Sequence, residues 1–243
     1  MKADYPTREQ TDGLCRLWQE AFGDEDAFLD AFWSTAFSAD RCRCITVNGD
    51  VAAALYWFDC RCEGVPMAYL YAVATAKKHR GRGLCRSLME DTHELLKSLG
   101  YGGSILVPAE PGLTAMYEKM GYACFGGMDT LVCNAGEPVN LQVLTAEEYA
   151  HLRKAYLPPR GVVQEGLSFL AEFARFYAGS DFVLAATEEL GLELLGNTAA
   201  APGILGALQK HAGVFRIPGK KPFAMYHPLS DTPAPSYFGL AFD

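Results

Sequence analysis

The stretch Arg80-Gly81-Arg82-Gly83-Leu84-Cys85-Arg86 carries the residue types that most directly imply chemistry. With Lys77 and Lys78 it places five cations between Glu63 and Glu90, an interval that contains no carboxylate. The 243-residue chain is otherwise acidic, with 21 Lys+Arg against 29 Asp+Glu and a net charge of −8. A short basic island in an acidic protein reads as a local anion site. Gly81 and Gly83 let backbone N–H groups approach a ligand closely. The stretch follows an apolar run, PMAYLYAVAT (66–75), and opens a helical repeat of Leu84, Leu88, Leu95, Leu96 and Leu99. A helix N-terminus adds unpaired donors and partial positive charge, so loop and helix together make a cradle for a pyrophosphate.

Comparison with known anion loops narrows this reading. The Gly-Lys-Ser/Thr of a P-loop is absent, and G-x-G-x-x-G lacks its third glycine. The pattern R-x-x-G-x-small remains, satisfied by Arg80, Gly83 and Cys85. A solvated basic turn is the alternative. The run VATAKKHRGRGLCRSLM resembles the acetyl-CoA-binding motif of the GNAT superfamily of N-acyltransferases. Downstream, PAEPGLTAMYEKMGY (108–122) resembles that superfamily's second conserved segment, with a strand between the two. The resemblance covers about residues 7–133. Cys85 departs from it, because the family usually has Gly or Ala there.

The resemblance implies roles by position. Val73 and Thr75 would offer backbone groups to the pantetheine arm where the strand splays. The backbone of Gly81, Arg82, Gly83, Leu84, Cys85 and Arg86, with Arg80 beside it, would hold the pyrophosphate. Tyr117 would protonate the departing CoA thiolate, a suitable task for a positioned phenol. Its other reading is a core aromatic on the Leu113/Met116/Met120 face. Acyl transfer to an amine then needs a group to take the amine's proton. Many family members have a Glu on the strand before the loop, but YLYAVAT has none. The candidates are Tyr69 or Tyr71 through water, Glu110, or a carboxylate at Asp243. Cys85, at a helix N-terminus among arginines, is expected to favour its thiolate, or simply to line the loop as a small residue.

Other chemistries find less support. The C-x-C pairs Cys42/Cys44 and Cys60/Cys62 would suit a four-thiolate zinc site, or are small buried residues on one strand face; no metal is expected. The histidines at 79, 93, 151, 211 and 227 show no H-x-x-x-H pairing, and His79 is placed in an exposed basic turn. No G-x-S-x-G elbow occurs.

These residues require elements to hold them. Thr7 and Gln10 fit a capping box, followed by Leu14, Leu17, Trp18, Ala21 and Phe22 at helical spacing. A second apolar stripe, Phe28, Phe32, Trp33 and Phe37, follows the acidic turn at Asp24, Glu25 and Asp26. RCRCITV, Asn48-Gly49 and VAAALYWFDC read as a hairpin. SILVP (104–108) is a strand, Leu113–Met120 a short helix, and Tyr122–Phe125 and Thr130–Cys133 two short strands. The first half is thus α, α, β, β, β, α, β, α, β, β. After a linker at 135–138, Thr145 and Glu148 cap a helix, and FVLAAT and GLELLG form a hairpin. Residues 202–210 form a helix, and VFRIP, PFAMYHP and SYFGLAF are strands.

The expected fold class is α+β with a mixed sheet. Residues 1–135 form a GNAT-like acetyl-CoA-binding domain, and 138–243 a smaller α+β domain. That second half resembles the degenerate copy of two-domain GNAT members, or is an unrelated cap. The resemblance implies acetyl transfer from acetyl-CoA to a primary amine on a small molecule or peptide by direct attack. A non-catalytic acyl-CoA sensor is the alternative. Acidic composition argues against a nucleic-acid partner. The absence of a long apolar run argues against a membrane. Cysteines without an export signal read as cytoplasmic thiols, and a homo-oligomer is compatible with all of this.

Overall fold

Alternation of side chains along residues 42–75 builds the first part of one mixed sheet. The structure, a computed structural model, describes residues 2–242. The capping contact is made by Thr7, whose backbone N–H donates to Gln10 Oε1 at 2.8 Å, and α1 (Thr11–Phe22) and α2 (Asp26–Thr35) follow. Strands β1 (Cys42–Val47), β2 (Asp50–Cys62) and β3 (Val65–Thr75) form an antiparallel meander. Asn48 and Gly49, with φ of 54° and 87°, make its first turn. Next come α3 (Leu84–Ser98), β4 (Gly103–Leu106), α4 (Thr114–Glu118) and β5 (Ala123–Asn134). β3 and β4 are parallel, as expected for a helical crossover.

The period of two divides β3 between two cores. Tyr69 and Tyr71 join Leu14, Trp18, Phe32 and Phe58 under α1 and α2. Ala68 and Leu70 join Leu84, Leu88, Met89 and Leu96 under α3. Cys42, Cys44, Cys60 and Cys62 all lie in the first core. Burial pushes the Cys42 and Cys60 thiols well up and Cys44 to about 11. Cys44, Cys60 and Cys62 each donate to a different acceptor, Gln10 Oε1, the Met67 carbonyl and the Arg160 carbonyl. Among the described residues no group of three His, Cys, Asp or Glu side chains is arranged to hold a metal.

The second half adds β6 (Gln142–Leu144), α5 (Ala146–Tyr156), β7 (Val163–Gln164), α6 (Leu167–Leu170), β8 (Arg175–Ala178), β9 (Phe182–Ala186), β10 (Leu190–Gly196), α7 (Ala201–Ala207) and β11 (Ala212–Pro228). Thr145 and Glu148 do cap α5 reciprocally. The sheet order is β1-β2-β3-β4-β11-β10-β9-β8-β6. β8-β9-β10 is a meander, and β10-α7-β11 a parallel crossover, matching β1-β2-β3 and β3-α3-β4. The two halves meet where β4 and β11 run antiparallel, Leu106 opposite Met225.

Three strand expectations change. Residues 123–134 are one strand, and 212–228 are one strand. They pair along their whole length, with a shift between Pro218 and Pro222 that absorbs the break. SYFGLAF is not a strand beyond a single bridge at Tyr237. Tyr237, Phe238, Leu240, Ala241 and Phe242 are all buried, so this tail has no alternation for a half-solvated strand. Its backbone is held by side chains instead: Gln164 Nε2 donates to the Leu240 carbonyl at 2.5 Å, and Tyr71 Oη to the Phe242 carbonyl at 2.6 Å.

Gln164 is itself fixed by Arg153, which donates to it at 3.2 Å and to Glu193 through Nε at 2.5 Å and Nη2 at 2.8 Å. Tyr149 and Tyr237 also donate to Glu193. Burial works against the Arg153 charge, but the Glu193 carboxylate outweighs it and holds the guanidinium above its ordinary range. Arg153→Met strands a buried carboxylate and should cost about 3–5 kcal/mol, read as a lower urea midpoint, with part recovered by adding Glu193→Leu.

Candidate functional site

The glycine loop stands at the head of α3 with its side open. Gly81 and Gly83 have φ of 73° and 77°, a region that L side chains enter at a cost. A Cβ placed on either would meet nothing within 4 Å. Gly83 is the N-cap and offers no side-chain cap, and Ser87 is the first amide to bond back, to the Gly83 carbonyl at 3.0 Å. The amides of Leu84, Cys85 and Arg86 have no acceptor among the described residues, so about half a positive charge faces the open side. The Leu84 side chain is buried under the sheet, so only its backbone is available here.

The cations around the loop are exposed and lightly tethered. Arg80 Nε donates to the Thr75 carbonyl at 3.1 Å, and Arg86 reaches the Lys119 carbonyl at 3.3 Å and Glu90 at 3.7 Å. Lys78 pairs with Asp50 at 2.8 Å. Arg82 contacts His79 Nδ1 at 2.9 Å. His79 is buried, not exposed as expected; its ring fills the space beneath the turn.

Of the two readings of Cys85, burial favours the small neutral residue over the thiolate. Burial is the larger influence and pushes its thiol up, outweighing Arg86, which pulls the other way. The residue is therefore a neutral thiol packed against the α3 core.

The splay of β3 from β4 makes the cleft. The two strands pair only at Met67–Tyr69 against Gly103–Ile105. Beyond Tyr69, β3 keeps β2 on one edge but no partner on the other. Ala72 takes φ +48°, where the β2 register shifts between Ala54 and Tyr56. This bulge turns the strand at the start of the unpaired segment. Nothing in an alanine announces it, so it escapes sequence reading. The cleft holds a cavity of about 350 Å³ lined by Trp18, Phe22, Asp24, Phe28, Tyr69–Val73, Leu106, Val107, Ala109, Leu113 and Tyr117. Val73 thus lines it, and Thr75 ends the strand just above it.

Tyr117 is a core aromatic that also reaches the cavity. Its ring packs in the α3 core, 5.8 Å edge-on from Tyr122. It also lines the cavity, and its hydroxyl bonds no other described residue. Burial holds its pKa far above that of a free phenol, with Cys85 adding to the shift. It stays protonated, so its O–H is available to donate.

The base candidates separate. Tyr71 and Tyr69 line the cavity, and both hydroxyls engage the tail at Phe242, Tyr69 accepting its N–H at 3.5 Å. Glu110 is exposed before α4 and does not line the cavity. Asp243 lies outside the described residues. Of the acidic turn, only Asp24 reaches the cavity, where it accepts from Trp18 Nε1 at 2.7 Å.

Sequence reading also missed a buried polar cluster behind Tyr117. Tyr122 Oη lies 2.7 Å from Ser104 Oγ and 2.8 Å from His93 Nε2, and His93 stacks on His227 at 4.3 Å. They come from α3, β4, β11 and the turn before β5, so no local spacing reveals them.

Comparison with known proteins agrees with this geometry. Residues 2–125 match the family model described as an acetyltransferase (GNAT) domain. No curated protein matches the chain. A GCN5-related N-acetyltransferase from Kribbella flavida is similar in structure, at TM-score 0.70 and 21% identity, over 93% of this chain and 70% of that one. A putative acetyltransferase from Pyrococcus horikoshii gives 0.63 at 12% identity, over 99% and 94%. A tandem GNAT protein from the clavulanic acid biosynthesis pathway gives 0.55 at 12% identity, over 96% and 100%. The chain belongs to the GNAT acetyltransferase family. Its fold is the expected α+β type with a mixed sheet, and the likeness to a tandem member spans both halves.

The polar cluster has a pH signature. Burial first, and His227 second, push His93 down from about 6.5 to about 3. It is neutral when folded and gains a proton on unfolding in mild acid. Its contribution is therefore intact above about pH 6.5 and is lost as pH falls towards 3, with a slope approaching ~1.4 kcal/mol per pH unit. Urea melts between about pH 7 and 4.5 should show that slope reduced in His93→Gln.

Proposed function

We propose that this protein transfers an acetyl group from acetyl-CoA to a primary amine by direct attack. One observation carries the reading. Uncapped amides and open glycines stand at the head of an unpaired strand edge, and that edge runs into a cavity containing a protonated, unbonded phenol. The donor set suits CoA: amides of Gly81 to Arg86 for the pyrophosphate, with Arg80, Arg82 and Arg86 adding charge. The Val73–Thr75 backbone would serve the amide-bearing arm, although the Thr75 carbonyl already accepts from Arg80.

In this scheme the amine nitrogen bonds to the thioester carbon and the carbon–sulfur bond breaks. The sulfur takes a proton from Tyr117, and the proton the amine gives up, carried through water, restores the Tyr117 phenol. Holding both reactants in one cleft supplies most of the rate. We divide the chain at 135–138. Residues 1–135 bind the donor, and 138–243 shape the acceptor side through β11 and the tail. The mostly apolar lining of the cavity fits a small amine.

Thiol release from acetyl-CoA with a panel of amines tests this. Tyr117→Phe should lower kcat by about 10²-fold or more while leaving the KM for acetyl-CoA nearly unchanged. Binding of acetyl-CoA without amine-dependent thiol release would instead establish a sensor.

A further inference from the structure

One edge of β11 is unpaired in its middle. Val214 and Phe215 pair with β10, and Met225 to Pro228 with β4. The residues between them pair only with β5, across the shift at Pro218–Pro222. The gap opens a second cavity, of about 360 Å³. Val107 and Ala109 line this cavity and the thioester cleft alike, and Ala241 of the tail closes it. The two spaces therefore flank a single stretch of chain.

Arg216 lines this second cavity and is its only charged residue. Its Nη1 is shut off from solvent and has no hydrogen-bond partner. No carboxylate of the described residues lies within ion-pair distance of it, and its guanidinium carbon lies 5.5 Å from the centre of the Phe223 ring. Asp129, opposite Ile217 on β5, is turned away and accepts from the amides of Lys220 and Lys221. Arg216 as a whole is half-buried, but a donor shut off from solvent without a partner is unfavourable. An anion entering the cavity would pair with Arg216 where that side chain lines it.

The geometry points to this cavity as the acceptor subsite, with Arg216 receiving a carboxylate carried by the amine. The inference rests on the acetyl-transfer reading above and narrows its acceptor to an amine bearing one carboxylate on a small, apolar body. A carboxylate suits a lone guanidinium in charge and in its planar fork; a phosphate dianion would leave a charge uncompensated. Apolar Val107, Phe223 and Ala224 suit the rest of such a molecule. The volume falls in the range of about 300–1,000 Å³ usual for small-ligand sites. The carboxylate takes no part in bond making. Its amine attacks the thioester carbon, and the products are an N-acetylamino acid and CoA thiol.

The test measures thiol release from acetyl-CoA with the common amino acids and, separately, with their carboxamides. For at least one amino acid, wild-type kcat/KM should exceed that of its carboxamide about tenfold or more. Arg216→Met should abolish that preference mainly through KM for the amino acid, leaving KM for acetyl-CoA unchanged. Arg216→Lys should restore it in part, which a misfolded variant would not do. Equal use of amino acids and carboxamides by wild type overturns the carboxylate subsite and leaves acetyl transfer standing. If no amine releases thiol, the acetyl-transfer reading fails. Calorimetry with N-acetylamino acids and their amides then judges the subsite alone, and binding indifferent to Arg216→Met overturns it.

Discussion

Strand β11 is the constraint on which the rest depends. It has partners in both halves: β10 near its start, β4 near its end, and β5 along most of its length. Main-chain hydrogen bonds have an obligatory geometry, and a one-residue slip would reverse every side chain on it. The register that puts Tyr226 against Ile105 also puts His227 against Ser104, where it stacks on His93. The position of Tyr122, and through it Tyr117, is thus referred back to a strand some hundred residues later in the chain.

The tail is placed by a different kind of interaction. Its backbone is captured by polar side chains, and those converge on Arg153 and Glu193. A buried ion pair adds little net stability, because desolvation offsets most of its attraction. Glu193 nevertheless accepts from two tyrosines and twice from one arginine, while Arg153 also donates to the Val162 carbonyl. Such a saturated network has few alternative arrangements of similar energy. Its consequence is positional: Tyr237 and Leu240 have one place each, and Phe242 follows them to Tyr69 and Tyr71.

The glycine loop was legible in the sequence because its chemistry resides in residue identity. Only glycine takes the required φ without cost, and the arginines lie beside it. The meander was legible through Asn48-Gly49 and the alternation on β2 and β3. Features set by distant pairing were not legible. Ala72 is held at positive φ by its neighbours' register, against its own preference. Gly126-Gly127 and Pro218–Pro222 look like strand breaks. They fall opposite one another, so two irregular strands pair as one. His79 was misplaced because its charge neighbours were counted but not its burial.

Cys85 shows how local charge and burial compete at the cradle. Counting residues along the chain finds three arginines and a helix N-terminus, all of which favour a thiolate. In the folded protein the three arginines are exposed and engaged with backbone carbonyls, Glu90 or the His79 ring, where water screens them. The thiol faces the α3 core, where desolvation acts at full strength. Burial wins, and the side chain carries no charge. A thiolate there would have repelled any anion approaching the loop. The neutral thiol leaves the backbone donors unopposed, so the departure from Gly or Ala adds volume on the core side without adding charge on the ligand side.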